Sequence, residues 1–236
     1  MITNLDEYLI GIVIGVRYRA NFSIEDSLGA IVDKVLYDKK SYFNPKIFPL
    51  VQNTGNGKLL FNDKNNDRLT INNSNIVLDL LFDGSFKKEN SNQIIENFNE
   101  QIIEGIMKQY KITEIIRMGF IKRYLFPIDD LAQSFINKTI GKTQEGINDI
   151  NLRFSKKIPT SEAIVHRDIL DYSNAIFNII KQSDKNELFV TIDYQKYFDP
   201  FLTSVSELKF TEFINSVNSF NKNNSLLWLN KNYFND

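Results

Sequence analysis

Apolar positions in the first half of the chain follow two different periods. Residues 9–19 (LIGIVIGVRYR) are β-branched and apolar at first and alternate with polar residues later, which predicts a strand with Arg17 and Arg19 on one face. Behind Ser23, apolar residues recur at every third or fourth position up to residue 37, which predicts an N-capped amphipathic helix. From 45 to 83, short apolar runs separated by Asn- and Gly-rich turns predict antiparallel hairpins.

The middle of the chain predicts a long helix followed by a long strand. One apolar stripe runs from 91 to 110 with a helical period. Residues 112–126 (ITEIIRMGFIKRYLF) alternate and stop at Pro127, so they are predicted to be a strand. Five residues of this strand share a face: Ile115, Arg117, Gly119, Ile121 and Arg123.

The remaining segments complete an α+β pattern. They are a helix from 129 or 130 to 140, strands at 150–158 and 188–198, and a helix at 207–220. Residues 161–181 favour a helix, with two shorter strands as the alternative. We therefore expect an α+β fold in which an antiparallel or mixed sheet of hairpin-connected strands packs against long amphipathic helices. Residues 1–236 are expected to form one domain, with two lobes meeting near 127–149 as the alternative.

Composition removes several classes of function. The net charge is -1, from 28 basic and 29 acidic residues, so no global attraction to nucleic acid or to an anionic membrane is expected. The absence of Cys excludes disulfides and thiolate chemistry. No apolar run approaches the roughly 20 residues of a membrane span, and no signal peptide is visible, so we expect a cytoplasmic protein without a membrane partner.

Two short stretches copy catalytic motifs but lack the neighbours that those motifs require. His166-Arg167-Asp168 matches the HRD of a kinase catalytic loop, but no DFG follows it, and Asn174 stands one residue beyond the expected Mg²⁺ ligand. Gly141-Lys142-Thr143 matches the end of a phosphate-binding loop, but Ile136 occupies the position of its first Gly. We predict no catalytic residue, no metal ligand and no cofactor, which leans against an enzyme.

The least ordinary feature of the sequence is the position of its arginines. Lys is the commoner residue and populates loops and helix surfaces, whereas the arginines concentrate in predicted strands: Arg17, Arg19, Arg117, Arg123 and Arg153. A guanidinium group suits bidentate binding of phosphate or carboxylate. The first four are therefore candidate binding residues on a basic sheet face. Internal pairing with Asp79, Glu114 or Asp193 is the favoured alternative.

Several of these segments together resemble an uncharacterised, patchily distributed bacterial family of proteins of about this length. The resemblance rests on GVRYR, the hairpin block, the long helix and EIIRMGFIKRYLF. The matching positions are Gly119, Arg123 and Tyr124, with residues 190–194 as a later acidic strand. The resemblance implies no particular activity, and the patchy distribution suggests a mobile-element or defence locus.

Three functional interpretations follow. The favoured one is a non-catalytic subunit or recognition module acting through protein–protein contacts, with itself or an operon neighbour as partner. The second is a nucleic-acid or nucleotide-phosphate binder that uses the strand arginines. The third is a metal-dependent hydrolase that uses Asp193, which lies inside a predicted strand.

Overall fold

The extended segments of the chain pair into one sheet. The structure, a computed structural model, describes residues 2–37, 43–82, 88–127, 130–140, 149–158, 171–181 and 187–234. The strands are β1 (Leu9–Tyr18), β2 (Leu50–Thr54), β3 (Gly57–Asn62), β4 (Asp67–Asn72), β5 (Asn75–Leu81), β6 (Ile115–Pro127), β7 (Ile150–Ile158), β8 (Tyr172–Lys181) and β9 (Glu187–Leu202). They form a nine-stranded sheet in the order β2-β3-β4-β5-β1-β6-β9-β8-β7. The predicted α+β class is confirmed, and every neighbouring pair is antiparallel.

In the part of the chain that the structure describes, four helical regions accompany the sheet, besides the short 3-10 helices Leu5–Tyr8 and Val205–Glu207. Helix α1 is Phe22–Tyr37 and α3 is Asp130–Ile140. Helix α2 begins with Ser91–Asn97, continues through the π-helical turns of Phe98–Glu104 and ends with Gly105–Gln109. Helix α4 comprises Phe210–Phe220, Asn221–Ser225, Leu226–Leu229 and Asn230–Phe234. Within the described ranges, no helix is long and apolar enough to cross a membrane.

The order of elements repeats once along the chain. β1 is followed by α1 and by the hairpin-connected strands β2 to β5, and β5 returns to pair with β1. In the same way, β6 is followed by α3 and by β7 to β9, and β9 returns to pair with β6. Because β1 and β6 also pair with each other, one sheet runs through both halves of the chain.

Side-chain alternation gives this sheet two different faces. On β6, every second residue is buried, and these are Met118, Phe120, Lys122, Tyr124 and Phe126. The helices pack on the same side: the ring of Phe220 lies 5.7 Å from that of Tyr194, and Trp228 lies 5.2 Å from Phe177. We call this side the covered face and the opposite side the open face.

One segment differs from its prediction. The helix favoured over 161–181 is wrong for residues 172–181, which form β8; residues 161–170 lie outside the described part of the chain. Ala175, Phe177 and Ile179 are buried with a period of two, because hydrogen bonding to both β7 and β9 overrides a local pattern that also fits a helix. The segment around Trp228 continues helix α4.

Candidate ligand-binding face

The open face carries two arginines and two tyrosines side by side. The strand register places Arg17 of β1 opposite Arg117 of β6, Arg117 opposite Tyr197 of β9, and Tyr197 opposite Tyr172 of β8. Adjacent strands lie about 4.8 Å apart, so the four residues extend roughly 14 Å across the sheet. We call them the Arg–Tyr row.

Three members of the Arg–Tyr row contact one another, and the fourth is free. Arg117 donates a hydrogen bond from Nη1 to the Tyr197 hydroxyl at 3.1 Å, and its guanidinium carbon lies 5.5 Å from the centroid of that ring. The rings of Tyr197 and Tyr172 stack at 4.6 Å with an interplanar angle of 11°. Arg17 is exposed, and its guanidinium group has no hydrogen bond or ion pair with any described residue. Like charges placed directly opposite each other destabilise a sheet, so an anion bound here would relieve a repulsion.

A chain of hydrogen bonds along β9 fixes the polar groups next to this row. The Tyr197 hydroxyl donates to Gln195 Oε1 at 2.8 Å, and Gln195 Nε2 donates to Asp193 Oδ2. Burial raises the pKa of Asp193, while the Gln195 hydrogen bond and the charges of Arg117 and Arg153 oppose the rise. Asp193 is thus a partly buried carboxylate surrounded by donors.

Two neighbouring depressions open on this face. One, of about 440 Å³, is lined by Arg17, Arg117 and the facing pair Gly15 and Gly119, which bring backbone to the surface. The other, of about 830 Å³, includes the exposed Arg153 of β7. Asp193, Val13 and Ile121 line both, so the two depressions are continuous along the centre of the sheet.

The two other candidate arginines are paired within the protein. Arg19 lies beyond the end of β1, and its Nη1 is 2.7 Å from Oε1 of Glu114. Arg123 crosses β1 and pairs with Asp79 of β5, and its Nη2 also donates to the Leu80 carbonyl at 3.0 Å. These are two of the internal pairs that the sequence offered as the alternative to ligand binding.

Glycine on β1 makes the crossing of Arg123 possible. Gly11 lies directly opposite Arg123, and a Cβ atom at Gly11 would come within 3.1 Å of the guanidinium group and 2.6 Å of the Leu80 carbonyl oxygen. A side chain at this position would therefore force the guanidinium group and the Leu80 carbonyl to shift.

The local twofold symmetry of the β1–β6 pair relates Arg17 to Arg123. In this register Ile14 faces Phe120, and an axis through that pair superposes Arg17-Tyr18 on Arg123-Tyr124. Both tyrosines are buried on the covered face. The two arginines therefore start from equivalent positions, one in each half of the chain.

Their surroundings are not equivalent. Where Arg123 passes over Gly11, Arg17 meets Arg117, because residue 117 is the twofold counterpart of residue 11. The carboxylate position also differs: Asp79 faces Val13, and the counterpart of that pair is Gly119 facing Gln195. Arg17 thus has neither the space that Gly11 leaves nor the carboxylate that pairs with Arg123. This explains why, of these two arginines, Arg123 is paired and Arg17 is not.

The structure brings together two of the four predicted binding residues, Arg17 and Arg117, and separates Arg19 and Arg123 from them. Tyr172 and Tyr197 were not among the predicted binding residues. Their signal is the strand register, which cannot be read from one sequence, and Tyr172 also lies in the segment predicted as a helix.

The structure gives no support to the two catalytic motif fragments or to the metal-site hypothesis. Residues 141–143 and 166–168 lie outside the described ranges. Among the residues with described positions, no group of three or more His, Asp or Glu is placed to hold a metal ion. Asp193 itself is surrounded by Gln195, Arg117 and Arg153 rather than by further carboxylates.

Comparison with known proteins gives little more. No family model and no curated protein matches the chain. The solved structure of Methanococcus jannaschii TBP matches with a TM-score of 0.25 and 12% sequence identity, over 89% of this chain and 97% of that chain. Similarity at this level supports no conclusion about function.

Proposed function

We propose that the protein is a non-catalytic recognition module whose open face binds a phosphate-bearing ligand, and that single-stranded nucleic acid is the ligand class that suits it best. The observation that carries the proposal is the unpaired Arg17 directly opposite Arg117. A phosphate group between two guanidinium groups would accept charge-assisted hydrogen bonds from both and would cancel their repulsion.

The shape of the face favours a strand of nucleotides over a single small anion. The Arg–Tyr row adds two aromatic rings beside the two charges, and Tyr172 is 43% exposed. Stacking on aromatic side chains combined with a basic track for the backbone is the usual way of binding single strands without sequence preference. The continuous depressions towards Arg153 extend this track by a further charge.

Fluorescence anisotropy with a labelled oligonucleotide of about 12 nucleotides would test the proposal, since single-strand sites span about 4–16 nucleotides. We expect binding that weakens with salt, and a loss of about fivefold to tenfold for Arg17→Gln or Arg117→Gln, with a shallower salt dependence. Arg19→Gln is the matched control, because it removes the same charge from a residue paired with Glu114. Absent binding, or equal losses in all three variants, would remove the proposal.

A protein partner is the second candidate, and the edge strand β2 favours it. Within the described part of the chain β2 pairs only with β3, and Leu50 and Val51 are exposed there. An unpaired edge of this kind can accept a strand from another protein. We expect Val51→Lys to abolish a complex with the product of a neighbouring gene, as measured by co-expression and size-exclusion chromatography. Gln52→Lys is the control and should leave the complex intact, because it adds the same charge without removing the apolar side chain of residue 51. A complex unaffected by Val51→Lys would exclude β2 as its site.

A further inference from the structure

A second cavity lies on the covered face, away from the Arg–Tyr row. It has a volume of about 660 Å³, which is in the range of roughly 300–1,000 Å³ typical of small-molecule sites. The N-terminal residues, the start of α2, helix α4 and strands β1 and β6 enclose it. We call it the N-terminal cavity.

The wall that β6 contributes to this cavity contains a buried lysine. Lys122 is 6% exposed and lies between Phe120 and Tyr124 in the alternation of the covered face. Its Nζ is 3.6 Å from Oδ1 of Asp6, which is longer than a hydrogen bond, and 5.7 Å from the centroid of the Phe120 ring. No other ion pair or hydrogen bond joins this ammonium group to a described residue.

A buried ammonium group in this position needs an explanation. Removing an ammonium group from water costs several kcal/mol unless its donors are satisfied. Burial lowers the pKa of Lys122, and the carboxylate of Asp6, itself half exposed, only opposes this effect. An apolar side chain would fit between the facing residues Ile12 and Ile192 at no such cost.

The other half of the chain shows that the fold does not require this charge. The twofold axis that relates Arg17 to Arg123 also relates residue 16 to residue 122. Residue 16 is Val16, which is 1% exposed on the same covered face. The equivalent buried position is therefore occupied by Val in the first half and by Lys in the second.

The rest of the lining mixes apolar residues of the core with polar side chains. It includes the amides of Asn92, Asn218 and Asn221 and the exposed ammonium group of Lys222. Asn221 is buried and accepts a hydrogen bond from the Tyr194 hydroxyl at 2.8 Å. Lys88 and Glu89 lie at the rim. Donors thus outnumber carboxylates around Lys122.

We infer that the N-terminal cavity is a binding site for a small anionic molecule, whose carboxylate or phosphate group is held by Lys122 and Lys222. The ligand would provide the anionic partner that Asp6 supplies only at 3.6 Å. This site is separate from the proposed nucleic-acid surface, because the two lie on opposite faces of the sheet.

Thermal unfolding in the presence of sodium phosphate or sodium succinate tests this inference, with sodium chloride of equal ionic strength as the reference. At about 10 mM ligand we expect a rise in Tm of about 3 °C or more for at least one of the two anions. Phosphate alone would indicate a phosphorylated ligand, and succinate alone a carboxylic acid. The rise must persist in Arg17→Gln, which separates it from anion binding at the open face.

Lys122→Met provides the decisive variant. It should raise the Tm of the unliganded protein, because it removes a buried charge, and should abolish the rise that the anion causes. Lys222→Met should reduce the same rise, and Lys231→Met, at an exposed position of α4 outside the lining, is the matched control. If neither anion raises Tm above the chloride reference, or if the rise survives both Lys122→Met and Lys222→Met, the inference is wrong.

Discussion

Two arginines that occupy equivalent positions should respond to the same substitution with opposite signs. Arg17→Met removes a guanidinium group that faces another one, so we expect the free energy of unfolding to increase. Arg123→Met removes the partner of Asp79 and a donor to the Leu80 carbonyl, so we expect it to decrease. The pair therefore contrasts an arginine without an internal partner with an arginine that has one.

The size of each effect follows from exposure. Two unit charges about 6 Å apart repel by about 0.7 kcal/mol at the dielectric constant of water, and Arg17 is exposed, so Arg17→Met should stabilise the protein by about 0.5–1 kcal/mol. Removing one partner of a fully buried ion pair costs about 3–5 kcal/mol. The side chains of Arg123 and Asp79 are 18% and 31% exposed, and Arg68 faces Asp79 from β4, so about 2 kcal/mol is expected for Arg123→Met.

Urea unfolding followed by the fluorescence of Trp228, which packs against Phe154 and Phe177, measures both effects. The gain from Arg17→Met should shrink between about 20 mM and 500 mM salt, because exposed charges are screened over a few ångströms at the higher concentration. The loss from Arg123→Met should change much less. A destabilising Arg17→Met would show that Arg17 has an internal partner. A gain that salt leaves unchanged would show that charge repulsion does not cause it, and either result would refute the reasoning for the anion site.

Three further predictions concern single positions. Gly11→Ala should lower the free energy of unfolding by about 2 kcal/mol or more, because its Cβ would lie 2.6 Å from a backbone carbonyl oxygen. Gly29→Ala, at an exposed position of α1 with no atom near the added Cβ, should raise it by about 0.5–1 kcal/mol, and urea unfolding midpoints compare the two variants. Burial lowers the pKa of Lys122, so the unfolded state binds the proton of this lysine more tightly than the folded state does. The free energy of unfolding of the wild type, measured in urea relative to Lys122→Met, should therefore rise with pH between that lowered pKa and the ordinary value of about 10.4. Burial raises the pKa of Asp193, so the folded state binds the proton of this carboxyl group more tightly than the unfolded state does. The free energy of unfolding of the wild type relative to Asp193→Asn should therefore rise as the pH falls from that raised pKa to the ordinary value of about 3.9.

Local periodicity was enough to predict most elements of this fold but not their pairing. The alternation of 112–126 correctly placed Arg117, Gly119 and Arg123 on one face, while a register shift beside Arg117 buries Ile115. Which residue faces Arg17 depends on the pairing of strands about 100 positions apart in the chain, and no local pattern encodes it. The same holds for β8, where contacts with two neighbouring strands decided between two periods.

The alternation of β6 also distinguishes Lys122 from the other charged residues of that strand. The face of β6 opposite the arginines consists of Met118, Phe120, Tyr124 and Phe126, with Lys122 in the middle. A lysine flanked on both sides by large apolar residues of the same strand face is predicted to be buried. Alternation alone therefore pointed to Lys122, although the cavity beside it could be recognised only from the fold.

Comparing equivalent residues in the two halves of the chain distinguishes residues that the fold requires from residues that it does not require. Both halves must bury a tyrosine after each central arginine, and both do so, with Tyr18 and Tyr124. They differ where one half has glycine or valine and the other has a charge: Gly11 against Arg117 on the open face, and Val16 against Lys122 on the covered face. Because the smaller residue satisfies the packing in one half, packing does not dictate the charge in the other. Both charges lie on β6, and each borders a depression large enough for a small ligand, as the two proposed binding sites require.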